Sequence, residues 1–254
     1  MLNMHEEVLC AGEILRLDSA LSNPEEKCSC GAFLRDCPFW NRWINELPDA
    51  PKKDYGHWTF EMLDKLRRQE GKRLLVDLSK TRAYRLSHRW RRADVGYILM
   101  VRDPRGTMRS DLVAGKNLSM ELRLHRKWLR RYLAFVNKNT SNCLTVFYED
   151  LISSPERQLQ RICQFLGADY SPQMLAPNGK AHHFVRSSLS SFLTGANKLA
   201  VDERWRNELA PEQIKTIEKK LGSVPIYKDR YLLGGTGGVS MLSKAAAEGL
   251  PLSP

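Results

Sequence analysis

The sequence contains no hydrophobic run that approaches the roughly 20 residues of a membrane-spanning helix, so we expect no membrane span. It also contains no Gly-x-x-x-x-Gly-Lys-Ser/Thr motif, which disfavours a complete nucleotide triphosphatase. Six cysteines in 254 residues do not indicate a disulfide scaffold. The first residues do not form a signal peptide, because His5, Glu6 and Glu7 interrupt the apolar ones, so we expect a cytoplasmic location.

The charge that is present is mostly positive. With 40 lysines and arginines against 29 acidic residues, the net charge is +11. A balance this basic attracts anions such as a nucleotide, a sulfated or phosphorylated sugar, a nucleic acid or a membrane surface. Charge alone does not choose among these partners, so the choice depends on motifs.

One strand-to-helix transition stands out. The apolar segment Tyr97–Val101 predicts a strand that is buried on both faces of a parallel sheet. Asp103 can cap the helix that follows, and Pro104 suits its first position. Arg102 then lies at the carboxyl end of the strand, and Ser110 lies about two turns into the helix. A guanidinium and a hydroxyl placed in this way can bind one phosphate group, although surface arginines beside a helix start are the alternative.

Strand and helix patterns alternate along the chain, which predicts an α/β fold with a parallel sheet and helices on both faces. Further strands are predicted at Val8–Cys10, Arg73–Leu78 and Leu144–Tyr148, and helices at Trp58–Gln69, Leu118–Asn139, Pro155–Leu166 and Pro211–Leu221. We expect one domain over residues 1–232, with an irregular Cys- and Trp-rich insert at 23–50. Residues 233–254 have no periodicity and are predicted to be disordered.

Charged and hydroxyl side chains follow three of the predicted strands. Ser79-Lys80 follows the strand at Arg73–Leu78, and Arg102 follows the strand at Tyr97–Val101. Tyr148-Glu149-Asp150 stands at the end of the strand at Leu144–Tyr148. Carboxyl ends of parallel strands meet at one edge of a sheet, where open α/β sheets bind ligands. The sequence therefore predicts an anion-binding mouth at this edge.

These residues resemble a known family. Val101-Arg102-Asp103-Pro104-Arg105 with Ser110 is similar to the 3′-phosphate-binding motif of the sulfotransferases. The resemblance extends to three more segments, which are Val146–Leu151, Cys28-Ser29-Cys30-Gly31 with Cys37-Pro38-Phe39-Trp40, and Gly195–Lys198 followed by Asp202–Arg206. It implies a three-layer fold like that of P-loop NTPases. It also implies transfer of a sulfuryl group from 3′-phosphoadenosine-5′-phosphosulfate (PAPS) to a hydroxyl or amine.

The resemblance also implies site residues. Arg102 and Ser110 would bind the 3′-phosphate, and Asn197 and Lys198 would belong to a loop that closes over the nucleotide. Lys80 would stabilise charge on the bridging oxygen, and Glu13 would accept the proton of the acceptor. A solvated lysine and an ordinary surface carboxylate are the alternatives for these last two residues.

Members of the family bind the 5′-phosphosulfate group with a loop near the N-terminus, and the sequence as given contains no counterpart of this loop. The resemblance therefore implies that the N-terminal strand and its loop are missing from the sequence as given. A mispredicted start codon, a fragment and a degenerate homologue are the three explanations, and we favour the first.

The sequence leaves three hypotheses for the function. The leading one is a PAPS-dependent sulfotransferase that acts on a carbohydrate, small-molecule or protein acceptor. A non-catalytic protein that binds PAPS, its product adenosine 3′,5′-bisphosphate or an anionic glycan is the second. A nucleic-acid-binding protein using the basic helix Leu118–Asn139 is the third, but no recognition motif supports it, so we expect no nucleic-acid partner.

Three cysteines of the insert could hold zinc together with one more ligand, and these candidates are Cys28, Cys30 and Cys37 with Cys10 or His57. Their Cys-x-Cys-x6-Cys spacing departs from the usual zinc pairs, so we expect reduced thiols that pack against Trp40 and Trp43, and no metal. The adjacent His182 and His183 point in opposite directions in a helix or a strand, so a metal shared by both is not expected.

Overall fold

The computed structural model describes residues 1–14, 17–44, 55–79, 95–138, 140–176, 182–185 and 199–232. The chain divides into two compact units. The first comprises Met1–Ala93 with Tyr170–Lys198, and the second comprises Asp94–Asp169 with Leu199–Pro254. The single domain over residues 1–232 stays a prediction, and the tail at 233–254 lies outside the described residues.

The first unit is built on a parallel pair of strands. Strand β1 (Val8–Cys10) pairs with β2 (Leu74–Val76), with Val8 opposite Leu74. Its helices are α1 (Leu17–Leu21), α2 (Pro38–Ile44) and α3 (Tyr55–Gln69), with short 3-10 helices at Leu2–Met4 and Pro172–Leu175. Both strands confirm the predicted positions, although β2 is shorter than the predicted Arg73–Leu78.

Helix α2 supplies much of the core of the first unit. Its sequence places Phe39, Trp40 and Trp43 on one buried face, and Trp40 is completely inaccessible to solvent. The described part of the predicted Cys- and Trp-rich insert, residues 23–44, therefore packs against the core through a regular helix, α2. Helix α3 contributes Leu63 and Leu66, three residues apart on one face, to the same cluster.

The second unit has the same pairing of parallel strands. Strand β3 (Tyr97–Val101) pairs with β4 (Cys143–Phe147), with Tyr97 opposite Cys143 and Val101 opposite Phe147. Its helices are α4 (Pro104–Val113), α5 (Leu118–Lys138), α6 (Tyr148–Ser153), α7 (Pro155–Leu166), α8 (Trp205–Glu208), α9 (Pro211–Leu221) and α10 (Pro225–Tyr227), followed by a π-helical turn at Lys228–Leu232. Strands that alternate with helices and pair in parallel confirm the α/β class.

Local signals explain where the elements of the second unit begin and end. The Asp103 carboxylate accepts the backbone N–H of Arg105, and Pro104 occupies the first position of α4. Gly167 ends α7 in the left-handed conformation, with φ of 63°. Each of these ends follows the sequence prediction.

The burial of β3 differs from the prediction. Val101 is buried, but 46% of the Met100 surface is exposed, so the strand is not covered on both faces. Among the described residues β3 has one hydrogen-bonded neighbour, β4. In the part of the chain that the structure describes, none of the helices combines the length and the apolar character needed to cross a bilayer.

Candidate functional site

The second unit holds Arg102 at the point where β3 ends and α4 begins. Its guanidinium lies over the ring of Tyr148, the first residue of α6, at 4.8 Å from the ring centre. It also approaches the backbone of Gly106, where a Cβ atom would come within 3.2 Å of Nε and Nη2. The guanidinium therefore packs against an aromatic ring and against a backbone position that carries no side chain.

Arg102 already binds an anionic group of its own chain, which is the carboxylate of Asp202. Its Nη2 donates to Asp202 Oδ2 at 2.8 Å, and Arg204 donates to both oxygens of the same carboxylate at 2.7 Å. Hydrogen bonds from Arg204, opposed by burial and helped by Arg102, hold the pKa of Asp202 well below its usual range. The carboxylate is therefore ionised, and the position beside Arg102 stabilises negative charge.

Arg102 retains a donor that Asp202 does not use. Its Nε atom is buried and has no hydrogen-bond partner among the described residues. A buried N–H without a partner is costly. Arg102 therefore keeps hydrogen-bonding capacity beyond its bond to Asp202.

Ser110 lies one turn beyond Gly106 on α4. Its hydroxyl donates to the Gly106 carbonyl oxygen at 3.1 Å. The two residues predicted to bind phosphate therefore both contact Gly106, Arg102 at the Cα side and Ser110 at the carbonyl. The hydroxyl can turn from this intrahelical bond to a ligand, because a serine hydroxyl rotates to suit its partner.

The neighbouring arginines are neutralised within the protein. Arg105 donates to Asp103 at 2.7 Å and to Glu218 at 3.1 Å, and its guanidinium stacks 4.0 Å from the Trp205 ring centre. Arg109 pairs with Glu208 through Nε at 2.7 Å. Their charges are committed to packing helices together, which leaves Arg102 as the better candidate for a ligand.

The first unit places two carboxylates after its two parallel strands. Glu13 follows β1, and its backbone N–H donates to the Val185 carbonyl at 3.1 Å. Asp77 follows β2 and accepts the backbone N–H of Ser79 at 2.8 Å. Burial, and more weakly the charge of Glu13, raises the pKa of Asp77.

Three of the predicted site residues lie outside the described residues. They are Lys80, Asn197 and Lys198, and their roles stay predictions. The sequence analysis did not single out Asp77 or the contact between Arg102 and Asp202. Asp77 carried a usable signal, since it falls directly inside the end of a predicted strand. Asp202 belongs to a segment of the resemblance, Asp202–Arg206, but it lies 100 residues from Arg102 and no local spacing indicated their contact.

The cysteines of the insert meet a histidine. The sulfur atoms of Cys28, Cys30 and Cys37 and one ring nitrogen of His183 all lie within 4.8 Å of one another. Burial raises the pKa of the Cys28 and Cys37 thiols and lowers that of His183. Among the described residues the fourth member is His183, which was not among the two candidates predicted from the sequence, Cys10 and His57.

Comparison with known proteins finds a matching family. Residues 54–172, just under half of the chain, match the model described as "Sulfotransferase family". This part of the chain is therefore similar to the sulfotransferases. The matched residues contain β3, Arg102, Ser110 and β4, which are the elements that build the anion site.

Relatives and a solved structure agree with this family. A Caenorhabditis briggsae protein named "Putative protein-tyrosine sulfotransferase" is 41% identical over 87 residues, which is 31% of this chain and 31% of that protein. Protein-tyrosine sulfotransferase 2 of Gallus gallus is 26% identical over 138 residues, 51% of this chain and 35% of that protein. The chain thus spans about a third of the length of these relatives.

The fold is shared with a solved sulfotransferase. The "Sulfotransferase Domain from the Curacin Biosynthetic Pathway" aligns over 87% of this chain and 90% of its own, with a TM-score of 0.56 and 18% identity. The predicted sulfotransferase fold is therefore confirmed, and the polar residues of the site carry the functional argument.

Proposed function

We propose that the protein transfers a sulfuryl group from PAPS to a hydroxyl or amine. The observation that carries the proposal is the state of Arg102, which lies at a strand end, already holds one carboxylate and keeps a buried Nε–H without a described partner. A phosphate offers three oxygens where a carboxylate offers two, so it can satisfy donors that Asp202 leaves unused. The motif match and the family support the 3′-phosphate of PAPS as that ligand.

The roles of the other residues follow from the resemblance. Ser110 would hold the same phosphate from one turn further along α4, and Asn197 and Lys198 would close over the nucleotide. Glu13 would take the proton as the acceptor oxygen forms its bond to sulfur and the sulfur–oxygen bond to the nucleotide breaks. Adenosine 3′,5′-bisphosphate would then leave, with Lys80 stabilising the charge on the departing oxygen.

A tyrosine hydroxyl is the first acceptor to test. Two relatives carry protein-tyrosine sulfotransferase in their names, and one of them is 26% identical over 138 residues. Transfer to a tyrosine-containing peptide can be followed by mass spectrometry with PAPS as donor. Binding of the nucleotide without any transfer would favour the non-catalytic alternative, a protein that keeps the nucleotide site and performs no chemistry.

The decisive experiment removes the guanidinium. Arg102→Ala should weaken the binding of adenosine 3′,5′-bisphosphate about 100-fold in calorimetry, because two charge-assisted hydrogen bonds contribute about 3 kcal/mol together. Binding of adenosine 5′-monophosphate, which lacks the 3′-phosphate, should change much less. This difference assigns Arg102 to the 3′-phosphate.

The matched control is Arg123→Ala, which removes the same charge from an exposed position of α5. It should leave the affinity almost unchanged, because an exposed charge outside the site acts only through long-range attraction. Equal losses in both variants would mean that net charge attracts the nucleotide. Unchanged affinity in Arg102→Ala would refute the proposal.

A further inference from the structure

The cluster of Cys28, Cys30, Cys37 and His183 has the dimensions of a metal site. The sulfur atoms of Cys30 and Cys37 are 3.8 Å apart, and His183 Nδ1 lies 3.1 Å from Cys37 Sγ and 3.8 Å from Cys28 Sγ. Zinc ligated tetrahedrally, with bonds of about 2.3 Å to sulfur and about 2.0 Å to nitrogen, separates its ligands by about 3.6–3.8 Å. Two of these three separations are close to the tetrahedral values and the contact between Cys37 and His183 is shorter, so the four donor atoms are near enough to share one ion.

We infer that these three cysteines and His183 bind one structural zinc ion. Three thiolates and one imidazole are a closed donor set of the kind that structural zinc sites use. Soft sulfur ligands in a tetrahedron favour zinc over the hard cations calcium and magnesium. This inference does not depend on the proposed transfer of a sulfuryl group.

The backbone around the cysteines contacts two of the sulfur atoms. The Cys30 N–H donates to Cys28 Sγ, and the N–H groups of Phe39 and Trp40 at the start of α2 donate to Cys37 Sγ. Between the first two cysteines and the third, Gly31 adopts φ of 95°, a conformation that favours glycine and turns the chain back. These N–H groups fix the positions of two of the three sulfur atoms, while burial raises the pKa of both thiols.

His183 is held in place by its own contacts. Its ring stacks on Phe39 at 5.3 Å and 8°, and its carbonyl oxygen accepts the Trp40 indole N–H at 3.0 Å. The neighbouring His182 turns away and contacts Asn3 at 2.6 Å. The orientation of the His183 ring toward the cysteines is therefore fixed by packing, as metal ligands require.

The ion would fasten the cysteine loop to a distant segment. Cys37 and His183 are 146 residues apart, and Ser29 joins the same segments by accepting the Phe184 N–H at 2.9 Å. Val185, which follows, pairs with the backbone of Gly12 and Glu13 beside β1. A zinc ion at the cluster would thus stabilise the pairing that follows β1.

Access to the cluster is open. Cys30 is exposed, and a cavity of about 490 Å³ in the first unit is lined by His183 together with Phe39 and Arg42. An ion can therefore reach the ligands in the folded protein.

The test measures metal in the full chain purified from zinc-supplemented cells. Elemental analysis should find one zinc ion per chain, and the mercurial reagent that titrates thiols should release it. Cys37→Ser and His183→Ala should each lose most of the bound zinc and melt at a lower temperature. Cys143→Ser, which changes a half-buried cysteine outside the cluster, should keep the full zinc content.

If a cluster variant fails to fold, measurements on the wild-type protein still test the inference. Chelator treatment should then expose Cys28, Cys30 and Cys37 to alkylation, and cobalt reconstitution should give the absorption bands of tetrahedral thiolate ligation. Absence of zinc from the wild type, iron in its place, or zinc that persists in both variants would overturn the inference. A peptide mass that is lower by two hydrogen atoms would indicate a disulfide between Cys30 and Cys37, and this result would also overturn the inference.

Discussion

Gly106 should control nucleotide binding without controlling stability. A methyl group added at Gly106 would meet Arg102 Nε and Nη2 at 3.2 Å, and Cζ at 3.5 Å. The guanidinium must then move by a few tenths of an ångström away from α4. It is tethered by Asp202 at 2.8 Å and by the Tyr148 ring, so it cannot move without disturbing both contacts.

The effects of Gly106→Ala on binding and on folding have opposite signs. Loss of good geometry in one charge-assisted hydrogen bond costs about 1.4 kcal/mol, which is about tenfold in affinity for adenosine 3′,5′-bisphosphate. Alanine also favours the helix over glycine by up to about 1 kcal/mol, and by less near a helix start, which offsets the contact with Arg102. The variant should therefore bind about tenfold more weakly while its melting temperature stays the same or rises.

Calorimetric titration and thermal melting on the same preparation measure both quantities. Val113→Ala is the matched control, because Val113 ends the same helix, is 69% exposed and gains helix propensity without approaching Arg102. It should bind like the wild type. If Gly106→Ala keeps wild-type affinity, or loses affinity only as far as it loses stability, the guanidinium does not bind the nucleotide from this position.

Two other changes test the electrostatics of the units separately. Asp202→Asn should tighten the binding of adenosine 3′,5′-bisphosphate about fivefold in calorimetry, because the competing carboxylate leaves Arg102 and a pair of this kind contributes up to about 1 kcal/mol; weaker binding would show that Asp202 positions Arg102 instead. Burial raises the pKa of Asp77 above its ordinary 3.8, so its contribution to stability is present below that pH and is lost as the pH rises through the folded-state pKa. Urea unfolding should therefore find Asp77→Asn more stable than the wild type at neutral pH, with the difference vanishing in acid. Asp64 is the control of opposite sign, because a hydrogen bond from an arginine on the same helix lowers its pKa. Asp64→Asn should therefore destabilise the protein at neutral pH and have no effect in acid. The same pH trend in both variants would contradict the raised pKa of Asp77.

Elements with local signals were predicted well. Strand β3 and helix α9 have the predicted bounds, Tyr97–Val101 and Pro211–Leu221. An apolar run before a capping aspartate and a proline at a helix start act over a few residues, so the sequence contains the information. The exposure of Met100 was not predictable in this way, because it depends on which distant elements cover the strand.

The anion site was predicted only in part, for a similar reason. Arg102 and Ser110 belong to one strand-to-helix transition, and their common contact with Gly106 follows from helical spacing. The carboxylate that occupies Arg102 comes from residue 202, and the ring beneath it comes from Tyr148. Such partners are chosen by tertiary packing, which residue types and spacing in a single sequence do not specify.

The histidine pair shows how a correct local rule left the contact between His183 and the cysteines unpredicted. Adjacent side chains in an extended segment do point to opposite sides, and the structure confirms this, since His182 contacts Asn3 while His183 faces the cysteines. That rule excludes one metal held by both histidines. It does not exclude a metal held by one of them, and it even requires that one of the two face whatever packs on that side. The missing information was the 146-residue contact between the loop and this segment, which no local spacing contains.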